Sequence, residues 1–315
     1  MKANEDKTSQ EDLRMGTPTG DNAPQTSTET PGVERLTSTE LSEPARLMAE
    51  AFAKRSRRVS IPVRNSFVRA SGSTKTPLAH MAATRGHGGE TKLKLYFALL
   101  WLSVSPPYDT TLPAANWATL LDLDDPTTKG ARCVRKALSE LESLGLVSRQ
   151  LVPGAAARVQ LLREDGSGDR YTPPSASHRR GAKKITETDR DRYFKIPTLL
   201  WTSGHLQRMS SAALTMLLVI LEESRGREAP QWWTQEDFNT RFGVSKDVRA
   251  KGTRELVARR LIEVDRQPVA ATPTQNVFFS SRRVRNTYCI TNEAAGHHPR
   301  DGILTPLGKI KTPAT

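Results

Sequence analysis

Apolar positions recur at helical spacing across residues 93–104. Leu93, Tyr96, Phe97, Leu100, Trp101 and Val104 fall at i, i+3, i+4, i+7, i+8 and i+11, one stripe of a helix with 3.6 residues per turn. Ser105, Pro106 and Pro107 stop it, since proline has no amide proton to donate. A short strand is predicted over 109–112 and a second helix over 113–121, opening on Pro113, where a missing N–H does no harm. After a turn at 122–128, Val134, Leu138, Leu141 and Leu144 mark a third helix over 129–144. Gly145 is placed to end it in the left-handed conformation. Residues 146–152 and 158–162 read as two strands around a tip at 153–157.

The order then returns. Residues 193–196 read as a strand. Ser210 or Ser211 caps a helix built on Leu214, Leu217, Leu218 and Leu221. Gln231, Trp232 and Trp233 form a short strand, with both tryptophans read as core beside it. Thr234 opens a second helix with Asp237 three residues on, close to a capping box, and this helix ends near Phe242 and Gly243. Ser245 caps a third helix running to Arg260, followed by a strand over 261–266, a proline-containing loop over 267–275, and a long returning strand or hairpin over 276–290. Two spacings check the repeat: Glu140-Leu141 and Glu255-Leu256 lie 115 positions apart, and so do Leu146-Val147 and Leu261-Ile262. The first copy carries about six extra residues in its turn, around Asp124 to Thr127.

The stretches between are of another kind. Residues 1–50 hold ten acidic and five basic side chains, a net of −5. Most of this stretch has almost no large apolar residue, so it is expected as a disordered acidic tail with a short helix near 46–53. That leaves +18 on the rest of a chain whose total is +13. Residues 51–88, with Lys54, Arg55, Arg57, Arg58, Arg64, Arg69 and Lys75 and no acid, read as a basic arm or linker. Residues 164–192 read as a linker and 293–315 as a flexible tail. The resulting division is 89–163 for the first folded domain and 193–292 for the second. A chain this basic needs a polyanionic partner or repels itself at a cost, and composition alone does not separate DNA, RNA and anionic lipid. Cytoplasm is the expected location: the N-terminus lacks the apolar core of a secretion signal, and no apolar run approaches a membrane span.

Each copy resembles a winged helix-turn-helix domain, in the stretch from Asn116 to Val147 and again from Thr234 to Ile262. The expected fold class is therefore α+β, mainly α, with two winged helix-turn-helix domains, a disordered N-terminal tail and a basic linker. The resemblance implies a third helix presented to the major groove and a hairpin wing reaching phosphates or a neighbouring groove. Candidate DNA-binding residues are Thr128, Lys129, Arg132, Arg135 and Lys136 on the first such helix, with Thr127 beside them. The second offers Ser245, Lys246, Arg249, Lys251 and Arg254. Arginine can pair bidentately with guanine, and lysine serves phosphates. Wing candidates are Arg158 in the first copy and Gln275, Arg282, Arg283 and Arg285 in the second.

Two such units in one basic chain resemble the initiators of iteron-type plasmid replication and other plasmid- or phage-borne winged-helix proteins. The implied function is sequence-specific binding of double-stranded DNA without catalysis, most simply as a replication initiator. A transcription regulator and a protein-binding adaptor are the alternatives. Implied partners are double-stranded DNA with replication machinery or RNA polymerase, and a homodimer is the candidate assembly; no membrane is involved. No cofactor or metal is expected. Gly302 and Gly308 are wrongly spaced for a phosphate loop and Lys309 is followed by Ile310. His297-His298 has no nearby tyrosine, and His80 and His87 lack ligand partners at the usual spacing. Cys133 is expected to pack rather than react.

Overall fold

The computed structural model describes residues 39–70, 75–83, 88–179, 191–224, 230–268 and 284–296. It is a mixed α+β protein, about half helical, with small antiparallel sheets.

The described chain opens with α1 (Glu43–Ser56), β1 (Ser60–Arg64) and a 3-10 turn at Asn65–Phe67. Ser42 caps α1 by accepting from the Ala45 amide at 3.4 Å, and Arg57 closes it in a left-handed conformation with φ 51°. Next come α2 (Pro77–Ala82), α3 (Gly88–Leu102), β2 (Asp109–Thr111), α4 (Ala114–Leu120), α5 (Ala131–Ser143), β3 (Val147–Gln150), β4 (Arg158–Leu161) and α6 (Pro174–Arg179). The remainder is β5 (Tyr193–Pro197), α7 (Leu199–Thr202), α8 (His205–Arg208), α9 (Ser211–Ser224), α10 (Gln235–Phe242), α11 (Lys246–Ala258), β6 (Ile262–Pro268), β7 (Val284–Ile290) and α12 (Asn292–Ala295).

The doubled order is present in the elements. Strand β1 leads through a short helix to α3, β2, α4, α5 and the β3–β4 hairpin. Strand β5 leads through short helices to α9, α10, α11 and the β6–β7 hairpin. β2 adds to β4 in a three-stranded sheet of order β2-β4-β3, and the Gln231–Tyr288 bridge holds the same place beside β7. The extra length of the first copy falls between α4 and α5. Asp122 and Asp125 take left-handed φ values there, 53° and 47°, and Pro126–Gly130 winds as a π-type turn.

The first helix stripe was only part of what α3 buries. Leu95, Ala98 and Leu99, off the stripe, are buried as fully as Leu93 and Trp101. A helix apolar all round belongs inside, and α3 packs on α2, α5 and α9. Its two inward lysines are met by partners. Lys92 reaches Glu140 of α5 at 2.7 Å. The Lys94 ammonium donates to the Gln207 carbonyl at 2.6 Å and contacts Glu90. Burial lowers the Lys94 pKa, and Glu90 offsets part of that.

The expected boundaries outside the two copies need four corrections. First, the acidic tail ends before residue 50: residues 43–50 are already helix, and Ala45 and Ala49 are buried. Second, residues 58–69 are not an arm, because Arg58, Arg64 and Arg69 have structural partners, while Lys54, Arg55, Arg57 and Lys75 are exposed. Arg58 donates to the Leu100 carbonyl at 2.7 Å. Arg69 forks onto both oxygens of Glu222 at 3.0 and 2.9 Å. Arg64, fully buried, contacts Glu164, Asp191 (2.7 Å) and the Thr172 carbonyl (2.7 Å). Burial, the largest influence on Arg64, opposes its charge, and the two carboxylates outweigh it and raise its pKa. Third, those partners show that 164–192 is not simply a linker: Glu164 and Tyr171 are buried and α6 follows. Fourth, the C-terminal stretch begins in order, with Ala294 of α12 fully buried.

The two copies share one core. Its buried side chains run continuously from Ala49 to Ala294. Trp101 at the end of α3 lies flat on Trp201 of α7, ring centroids 5.6 Å apart, and Phe52 of α1 meets both Trp101 and Trp117 edge-on at 6.4 Å. A flexible tether between independent domains does not describe this arrangement.

Candidate nucleic-acid interface

Helix α5 is sharply two-sided. Ala131, Val134, Ala137, Leu138 and Leu141 are buried on one side. Arg132, Arg135, Lys136 and Ser139 are exposed on the other, within an arc of about 100° at 3.6 residues per turn. Thr127, Thr128 and Lys129, in the preceding turn, are exposed as well. Gly130 lets this turn close on α4: a Cβ there would sit 2.9 Å from the Ala118 Cβ and 3.1 Å from the Asp124 carbonyl. Lys129 approaches Asp125 at 3.4 Å and Lys136 approaches Glu140 at 3.9 Å. These are open surface pairs of little energetic weight. Arg132 and Arg135 have no acidic partner among the described residues. Cys133 is exposed beside them rather than packed.

The hairpin after α5 is fixed to its end. The Arg149 guanidinium donates to Glu142 at 2.8 and 2.6 Å, and its amide donates to the same carboxylate at 2.9 Å. The Arg149 side-chain hydrogen bonds hold the Glu142 carboxyl below its ordinary range, against a smaller opposing effect of burial. Arg158, expected as a wing contact, is half-exposed and pairs with Asp109 of the adjacent strand β2.

Helix α11 is less regular. Ser245 caps it, accepting from the Val248 amide at 3.3 Å. Gly252, Glu255 and Leu256 are buried. A Cβ at Gly252 would lie 2.2 Å from the Ala212 carbonyl, so only glycine lets α11 lie this close to α9. Glu255 accepts from the Ser210 amide at 3.0 Å and from Arg259 at 3.0 Å. Lys246, Lys251 and Arg254 are exposed, but Asp247, Ala250 and Val257 are exposed or half-exposed among them.

Arg249 is a correction. Its guanidinium turns from the outer face onto an aromatic cluster, 4.6 Å from the Phe238 ring centre and 5.9 Å from that of Trp233. It donates to the Trp233 carbonyl and the Tyr288 hydroxyl, each at 3.2 Å. Once the helix is placed, its phase turns Arg249 toward the β7 side, where cation–π contacts and two oxygens hold it. Gln275, Arg282 and Arg283 lie outside the described residues.

Sequence reasoning missed one feature of this second unit. Trp233 is core, but Trp232 is 48% exposed and Arg285 lies 4.6 Å over its ring. Period-two alternation through 231–233 would have put the two rings on opposite faces.

The chain matches no protein-family model, curated protein or solved structure. Among the described residues, no helix is long and apolar enough to cross a membrane. No group of three or more His, Cys, Asp or Glu among them is placed to hold a metal ion.

Proposed function

We propose that this protein binds double-stranded DNA through two winged helix-turn-helix units, with α5 as the principal groove-reading helix. The observation that carries the proposal is the outward face of α5: Arg132, Arg135 and Lys136 opposite a wholly apolar buried face. A helix about 10–12 Å across fits a major groove about 12 Å wide. Cations on that face can neutralise phosphates and pair with guanine. The order helix, two further helices and hairpin is present twice, with strand β2 in the first copy and the single Gln231–Tyr288 bridge in its place in the second, and this supports the winged-helix reading of each unit.

The two outward faces differ. α5 offers three clustered cations, whereas α11 offers Lys246, Lys251 and Arg254 interspersed with Asp247, Ala250 and Val257. One chain would therefore read an asymmetric site with two unlike halves. A single chain then needs no inverted symmetry within its site, which suits an initiator at directly repeated sites; a regulator at a palindrome would need two chains.

The test is fluorescence anisotropy on duplexes enriched from a random library, titrated against salt. The R132A/R135A/K136A variant is expected to weaken binding and to lower the salt slope by up to about 0.9 for each phosphate it no longer neutralises. An unchanged slope would take α5 off the DNA. Enriched sites with two identical inverted halves would favour the regulator.

A further inference from the structure

We propose that the tip of the β3–β4 hairpin is an apolar wedge that enters a base step beside the α5 footprint and unstacks it. The inference rests on the duplex-binding reading above and adds to it a deformation of the DNA.

A wing that lies along phosphates needs cations at its tip. Residues 151–157 (Leu, Val, Pro, Gly and three Ala) carry none. Leu151 and Val152 are 73% and 53% exposed. Pro153, Gly154 and Ala155 are exposed with them. The arginines on the flanking strands do not extend to the tip: Arg149 is held by Glu142 and Arg158 by Asp109.

Exposed Leu and Val beside a cationic helix are suited to a surface that is apolar but framed by negative charge. The stacked bases of a duplex between two phosphate rails are that surface. Proteins that kink DNA insert such side chains from the minor groove, and the kink requires a wedge that does not yield. This hairpin root is built to resist. Three hydrogen bonds tie Arg149 to the last turn of α5. The paired register from Val147 opposite Leu161 to Gln150 opposite Arg158 extends that anchor to the tip, and β2 stiffens β4 from its other edge. Helix and wedge thus move as one piece.

The experiment uses the full chain and a nicked circular plasmid closed by DNA ligase in the presence of the protein, with linking number read on a gel. Binding to the same circle is measured separately across salt. The wild-type chain is expected to lower the linking number of the closed circles. The L151S/V152S variant should bind with the same salt slope and lose that shift, and L151M/V152I should keep it. Both sets of changes sit on exposed positions, so folding is not at stake. Wild-type binding with the linking number of free circles would overturn the wedge and leave the duplex reading standing. A full shift in L151S/V152S, as expected if the tip contacts a protein or a second copy instead, would also overturn it. No binding to the circle at all would overturn the duplex reading, and the wedge with it.

Discussion

Ile61 lies directly opposite Ile196 in the antiparallel pair of β1 and β5, and each is followed by a proline. The strands that open the two copies therefore meet each other, as an approximate twofold between the copies would have them do. The 134 residues between the two isoleucines include the first helix-and-hairpin unit, which closes before β5 begins.

A shared core predicts shared unfolding. Trp201 rests on Trp101 across the junction of the copies. Trp201→Ala should cost about 3–5 kcal/mol, and calorimetry should still show one transition, shifted down. Two separate transitions would mean that the copies fold independently.

Arg249 and Arg132 should behave oppositely. Arg249→Ala removes aromatic and hydrogen-bond contacts inside the second unit and should lower stability by about 1–3 kcal/mol, with the salt dependence of DNA binding unchanged. Arg132→Ala, on an open face, should change stability by less than about 0.5 kcal/mol and flatten the salt dependence. Thermal melts and salt titrations of the two variants separate the roles.

Cys133 provides a native reporter. It is exposed on α5, while the chain's other cysteine, Cys289, is only partly exposed and burial raises its pKa. Thiolate reagents should therefore label Cys133 first. Saturating duplex should slow that labelling several-fold, read by mass spectrometry of the peptide. An undiminished rate would count against α5 as the groove helix.

The Glu142–Arg149 anchor should give acid sensitivity. The folded-state pKa of Glu142 lies below its ordinary value of 4.5. The pair's stabilisation is therefore present above about pH 4.5 and lost as pH falls through the folded value. The effect is modest, because the pair is partly open to solvent. Melting temperatures followed from pH 6 into this acid range should fall more steeply for the wild type than for Glu142→Gln.

Local patterns were legible where a helix has one buried side. The periodicity of α5, the caps Ser245 and Thr234, and the hairpin after each third helix could all be read from spacing. Strand β1 was not, because Ile61 and Val63 sit among arginines and the stretch reads as a solvated charge run. What internalises it is distant: Glu164 and Asp191 meet Arg64 from 100 and 127 positions further along the chain. Only the repeated Ile-Pro pair hinted that residues 60–64 correspond to 193–197. On a helical wheel of α11, Val248, Gly252 and Leu256 compete with Arg249 and Thr253 for the inward face. Gly252 settles it, since its close approach to Ala212 fixes which side of α11 faces inward.

The fusion of the copies through β1, β5 and the tryptophan stack makes the protein a caliper rather than a pair of hands on a string. The separation and angle of its two third helices are set at folding, so on the proposed duplex-binding reading they could not be adjusted on the DNA. Moving one half-site by about five base pairs, half a turn of the duplex, would carry it to the far side of the cylinder. Only one helix could then engage.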